Sequence, residues 1–225
     1  MDDDDRRLIA RLRALDSCAV SDALDSLGLP PAVTGIAALT TDRRIAGRAV
    51  TVRLTDREPV DAPVRHLCSA AVDSAGPGRV LVIEQRTGID AAGWGGVLSH
   101  AAQQAGIEGV IVDGPARDVD EAAELGFAVY ARFATARTAR GRIFEEGFNI
   151  DIAVGELTVR PGDLMIADRS GVAAVPADRA EEVLAKAESI VARERAMTEA
   201  VRRGEPVSRV MGASYERMLQ QGGES

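Results

Sequence analysis

GGVLSHAAQQAGIEGVIVDGPARD, residues Gly95–Asp118, carries the signals that decide the fold. Two glycines open a helical stretch over Gly95–Ala105, and Gly106 stands where a helix C-terminus favours a residue without a Cβ. Gly109-Val110-Ile111-Val112 follows as a short, wholly apolar strand, and Asp113-Gly114-Pro115 reads as a turn. Arg117 and Asp118 then lead into a helix over Asp118–Leu125 that Gly126 stops, ahead of the strand Ala128–Ala131. Helices alternating with apolar strands imply parallel pairing in a sheet covered on both faces.

Outward from this stretch the pattern holds. Asp5 is placed to cap a helix whose apolar positions Leu8, Ile9, Leu12 and Leu15 recur at helical spacing. A second helix runs through Val20, Ala23, Leu24 and Leu27 and stops at Gly28. GRAVTVRL (Gly47–Leu54) and RVLVIE (Arg79–Glu84) read as strands, with a helix over Val64–Ser74 between them. Downstream, Gly155–Pro176 reads as an antiparallel meander of three short strands with turns at Arg160–Asp163 and Asp168–Gly171. Asp178 to about Arg203 forms one long helix with an apolar stripe through Val183, Leu184, Ala187, Ile190, Val191 and Met197. No repeat or linker divides the chain. The expectation is one α/β domain over residues 1–225, a mixed sheet flanked by helices. Its core covers about 17–176 and a helical arm follows from about 177.

Composition narrows the function. A net charge of -8 argues against a nucleic-acid partner, since neutralising phosphates takes clustered Lys and Arg. Cys18 and Cys68 have no CxxC spacing, and the solitary His66 and His100 form no zinc signature. The opening MDDDDRRLIA has acids where a secretory leader has bases, and no apolar run reaches the roughly 18 residues of a membrane span. A cytoplasmic protein with no membrane partner is expected.

Several chemistries drop out by motif. There is no GxGxxG after a strand, no GxxxxGK[ST] and no GxSxG. Schiff-base chemistry needs a desolvated lysine, and Lys186, the only lysine among 27 basic residues, falls off the apolar stripe of its helix. If carbonyl substrates are handled, a metal must act as the electrophile. The helix start at Gly95-Gly96-Val97-Leu98 offers free amides to an anion. Arg117 offers a planar fork for a carboxylate, and Asp118 a hard oxygen for Mg²⁺ or Mn²⁺. Taken singly, each has a plainer reading. Arg117-Asp118 suits a helix cap beside a surface charge, Gly95-Gly96 suits a plain turn, and Asp113 and Asp168 suit turns. Trp94 suits packing in the core or at an interface, and with Phe133 and the long terminal helix it is also expected to form exposed surface that a monomer would not leave open. Arg132, Arg137, Arg140 and Arg142 suit a solvated face, or a surface for an anionic substrate or a neighbouring subunit.

In order along the chain come Ser21-Asp22-Ala23-Leu24 with Gly28, then Gly47–Val52, Gly95–Leu98, Gly106–Asp118, and Val159–Asp163 with Asp168 and Gly171-Val172. Together these blocks resemble the RraA-like proteins. That family includes 4-hydroxy-4-methyl-2-oxoglutarate aldolases, oxaloacetate decarboxylases and the regulator of ribonuclease activity A. The resemblance implies a swivelling β/β/α fold and a homotrimer or hexamer with its site at a subunit boundary. It also implies that the Gly95–Leu98 amides bind a pyruvate-like carboxylate, that Arg117 contacts substrate, and that Asp118 holds Mg²⁺, Mn²⁺ or another divalent metal largely through water. The implied reaction on a 2-oxo acid is retro-aldol cleavage to pyruvate or oxaloacetate decarboxylation, through a metal-stabilised enolate.

One departure stands out. The family's loop carries Asp or Glu as its second residue, and this sequence has Gly96. Retro-aldol cleavage, which needs a base, is therefore expected to suffer more than decarboxylation. A replacement acid is expected from the long helix: Glu194 of the partner subunit first, then Glu188 or Glu199 of the partner subunit. The alternatives are a non-catalytic regulator or binding protein, and a different metal-dependent reaction, such as dehydration, on a related acid.

Overall fold

The computed structural model describes residues 1–59 and 66–212. Four parallel strands form its middle: β2 (Ile45–Thr55), β3 (Arg79–Glu84), β4 (Gly109–Ala116) and β5 (Val129–Ala134). The full order is β1 (Ala37–Ala38), β5, β4, β3, β2, then the hairpin β9 (Leu164–Ala167) and β10 (Val172–Val175). β1, β9 and β10 pair antiparallel, so the sheet is mixed. β2 is long enough to change partner along its free edge. Its first half pairs β9, and its second half pairs β6 (Phe144–Phe148) across a register shift at Arg53/Leu54.

Strand alternation divides the apolar residues between two faces. Val50, Val52, Leu81, Ile83, Val110, Val112 and Val129 face three helices: α3 (Ser69–Ser74), α4 (Gly96–Gln104) and α5 (Val119–Glu124). Ala49, Val80, Val82, Ile111 and Tyr130 face the other way, toward the small hairpin β7 (Ile152–Val154) and β8 (Leu157–Val159) and the inner face of β9–β10. The sheet curls, so that β9 and β10 present their other side to α1 (Asp3–Arg13), α2 (Ser17–Ser26) and α6 (Ala180–Arg202). A short α7 (Val207–Val210) follows.

A row of charge fixes the β7–β8 hairpin. At the carboxyl ends of the parallel strands Arg53 sits opposite Glu84, and Glu84 opposite Asp113. Arg132 Nε donates to Asp113 Oδ1 at 2.7 Å. Both carboxylates also accept from the hairpin's backbone: Glu84 Oε2, already bonded by Arg53 Nε, from Ala153 N–H at 2.8 Å, and the second oxygen of Asp113 from Gly155 N–H at 2.6 Å. Asp113 is thus a buried anchor and more than a turn residue.

The sequence expectations need four corrections here. β8 pairs β7 in a separate two-stranded sheet, so only β9 and β10 form the expected hairpin. β4 runs on through Gly114-Pro115-Ala116 instead of turning, because a register shift between Val112 and Pro115 accommodates the proline. The α1 cap is Asp2, which accepts from Asp5 N–H, while Asp5 pairs with Arg48 at 2.7 Å. The helix expected from Val64 starts at Ser69; Val64 and Arg65 lie outside the described residues. Among the described residues no helix is long and apolar enough to cross a membrane.

Candidate functional site

The candidate site lies where the parallel strands end. After β3 the chain passes through Gly93 and Trp94, which lie beside the end of β4. Gly93 N–H donates to Pro115 O at 3.0 Å, and Arg117 N–H to Trp94 O at 3.0 Å. This pairing lays the start of α4 directly against the Arg117-Asp118 pair. A cavity of about 460 Å³ opens there, lined by Gly95, Gly96, Val97, Leu98, Arg117 and Asp118 among others. Every residue expected on the substrate side therefore meets in one place.

Asp118 does not behave as a helix cap. It occupies the N-cap position of α5 with φ 54°, in the left-handed region, yet makes no side-chain bond to its own helix. Its carboxylate turns toward α4 instead: Oδ2 accepts from Gly96 N–H at 3.0 Å, and Arg117 Nε lies 3.1 Å from both oxygens. A left-handed non-glycine residue costs about 1–3 kcal/mol and persists where the surroundings enforce it, commonly at a functional site. Arg117 uses only Nε in this pair, which leaves its two terminal amino groups to clamp a carboxylate. The Gly96 amide is already engaged by Asp118, so it is not free for substrate as the resemblance implied. Val97 and Leu98, in the first turn of α4, keep amides without intrahelical acceptors.

The space left by the missing loop acid is filled by an acid that sequence reasoning overlooked. A Cβ at Gly96 would stand 2.6 Å from Glu121 Cδ, so the Glu121 carboxylate occupies the space that a side chain at 96 would take. His100, one turn after Gly96 on α4, holds it from the far side, with Nε2 3.1 Å from Glu121 Oε1. The available signal was the spacing Asp118 to Glu121, i to i+3 on one helix face, with side chains leaning toward the N-terminus.

A metal at this site would rest on Asp118. Among the described residues no group of three or more His, Cys, Asp or Glu side chains converges on a metal position. A carboxylate with lone pairs to spare fits a hard cation that keeps most of its waters, such as Mg²⁺. It does not fit a closed zinc site.

Other expected residues fall elsewhere. Glu194 lines a different cavity, with Asp16, Arg44 and Arg195. Burial raises its pKa, and Asp22 and Asp16 add to the rise. Within one chain Glu194 does not join Arg117 and Asp118. Lys186 is half-buried and lines neither cavity. Trp94 is 1% exposed, stacks on Phe127 with centroids 6.2 Å apart, and donates from Nε1 to Ser99 Oγ at 2.8 Å. Its indole therefore belongs to the core, and the expectation that it forms exposed surface together with Phe133 fails.

Known proteins agree with this architecture. A family model described as RraA-like, Aldolase/RraA, matches residues 17–174. A Halalkalibacterium halodurans protein named "Putative 4-hydroxy-4-methyl-2-oxoglutarate aldolase" is 31% identical over 201 residues, 86% of this chain and 90% of that one. Protein DlpA of Legionella pneumophila is 29% identical over 179 residues; these are 80% of this chain but only 29% of DlpA. Among solved structures, RraAS2 of Streptomyces coelicolor aligns with a TM-score of 0.77 and 25% identity over 88% of this chain and 98% of its own. It is described as an unusual member of the RNase ES inhibitor RraA protein family. The long match and the fold together settle the relationship: this chain belongs to the RraA-like family.

Proposed function

We propose that this chain is a divalent-metal-dependent lyase that breaks a C–C bond in 2-oxo acids and releases pyruvate. The observation that carries this reading is the convergence of Arg117, Asp118 and the Val97–Leu98 amides in one cavity, with the Glu121 carboxylate against Gly96 of its lining. A divalent cation held by Asp118 would polarise the 2-oxo group when bound. Arg117 and the α4 amides bind and orient the adjoining carboxylate. Asp118 in turn holds Arg117 and the Gly96 amide in register. In retro-aldol cleavage Glu121 accepts the proton of the C4 hydroxyl, the C3–C4 bond breaks, its electron pair passes toward the 2-oxo group, and C3 then takes up a proton. Decarboxylation needs no such base, because CO₂ leaves without giving up a hydroxyl proton.

The two reactions therefore separate at Glu121. Glu121→Gln is expected to slow cleavage of 4-hydroxy-4-methyl-2-oxoglutarate by about 10²-fold or more, with oxaloacetate decarboxylation changed less than threefold. The measurement is the ratio of the two pyruvate-release rates in wild type and variant. An equal fall in both rates would remove Glu121 from the role of base.

A second reading draws on the family to which RraAS2 is said to belong, described as RNase ES inhibitors: the chain would act by covering a partner protein. Such a role makes no use of the Arg117–Asp118 pair.

The assembly proposed is a homotrimer, or a hexamer of trimers. Its support is apolar side chains left exposed: Phe133 beside the site, and Val201, Val207 and Met211 along the terminal arm. Light scattering at micromolar concentration should give three or six times the chain mass. A monomer would contradict this, and with it any contribution of Glu194 of the partner subunit.

A further inference from the structure

The arginine-rich stretch from Arg132 in β5 to Arg142 contains one guanidinium that no described residue bonds. Arg132 pairs with Asp113, and Arg137 NH1 with Asp90 Oδ2 at 3.2 Å. Arg142 NH1 donates to Thr138 O at 3.2 Å. Among the described residues no carboxylate pairs with the Arg140 guanidinium. Its backbone, by contrast, is held firmly. Arg140 N–H donates to Thr138 Oγ1, Ala139 is buried, and Arg142 N–H closes the turn onto Ala139 O at 2.8 Å. The same loop accepts from Ala92 N–H through Arg137 O at 3.0 Å, which ties it to the chain just ahead of Gly95.

This anchored loop places Arg140 on the wall of the cavity that holds Arg117 and Asp118. The walls between are largely apolar, through Leu67, Val72, Leu98 and Ala139. Arg117 and Arg140 are the two arginines lining it, and the first is already set against Asp118. An unpaired guanidinium on an apolar wall selects a planar anion, because its fork matches a carboxylate with two parallel bonds.

We propose that Arg140 is a specificity-determining residue that binds a second carboxylate of the substrate, at the end away from the 2-oxo acid head. The assignment rests on the function proposed above for placing that head at Arg117, but its test needs no turnover. Calorimetry would compare 2-oxoglutarate with 2-oxobutyrate in the presence of Mg²⁺. The two acids share a head and differ at the distal carboxylate. Wild type should prefer 2-oxoglutarate. Arg140→Met should weaken 2-oxoglutarate by about 10- to 100-fold, the span expected for a charged hydrogen-bonded contact, and leave 2-oxobutyrate unchanged. Arg140→Lys should recover part of the loss.

Equal affinity of wild type for both acids, no measurable binding of either, or an unchanged 2-oxoglutarate affinity in Arg140→Met would each overturn the assignment. A parallel fall for both acids would overturn it too, by making the role structural. Failure of the lyase reading would look different: the binding preference and its loss in Arg140→Met would persist in a protein that releases no pyruvate.

Discussion

Asp118→Asn should lower pyruvate release by about 10³-fold, within the range for losing a group that organises charge in an active site, while the fold stays intact. Asn is the informative substitution because it tolerates the left-handed backbone that Asp118 adopts at φ 54°. It can still accept from Gly96 N–H, so the start of α4 keeps its place. What it loses is the negative charge, and with it both the hold on Arg117 Nε and the hard ligand for a cation. Asp118→Ala should lose as much activity and about 1 kcal/mol of stability besides, since alanine has no compensation for a positive φ. The check is steady-state kinetics beside thermal melting. A variant with full metal-dependent activity would remove Asp118 from the chemistry.

The second large effect concerns stability. Asp168→Ala should cost about 3 kcal/mol or more, lowering Tm by roughly 6–12 °C for a chain of this size. Asp168 is 9% exposed and joins two layers of the fold. Its carboxylate accepts from Ser17 N–H at 2.8 Å and Ser17 Oγ at 2.6 Å, at the start of α2, and from Ser170 N–H at 2.9 Å in the β9–β10 turn. Arg44 Nε approaches to 3.6 Å. Burial alone would push this carboxyl up, but the Ser17 and Ser170 bonds and the Arg44 charge together hold it below its ordinary value. A depressed folded pKa gives stability that is fully present above the unfolded value of about 3.9 and is lost as pH falls through the folded one. The gap between wild type and variant should thus be constant from about pH 5 to 8 and shrink below about pH 4. Melting curves across that range would show it. A gap independent of pH would mean that lost packing, not the charge, sets the cost.

How much of this was legible in the sequence depended on range. The α4–β4–α5 run was readable because its signals are local: apolar strands, and glycines at 106 and 126 whose φ values of 76° and 71° meet the stop each helix needs. The strand β8 was readable, but its partner was not, since three residues pair equally well with β7 before it or β9 after it. The carboxylates of Glu84, Asp113 and Asp168 bond backbone amides far away in sequence, so the acids looked like ordinary strand-end and turn residues. The site divided in the same way. Arg117, Asp118 and Gly95–Leu98 were found by type and spacing. Glu121 was not, because its role depends on the empty space at Gly96, across the gap between two helices. Trp94 was legible as a packing residue, but not which surface it packs on: its partner Phe127 lies 33 positions further along the chain.

The central claim is that Asp118 and Arg117 serve a metal-dependent cleavage. Its most direct test is pyruvate release from oxaloacetate by the wild-type protein, measured above the spontaneous rate, with Mg²⁺ and then with excess chelator. The account predicts turnover with Mg²⁺ that chelation abolishes, that Mg²⁺ restores, and that Asp118→Asn lacks. Release that is unaffected by chelation, or no release above background in either condition, would contradict it.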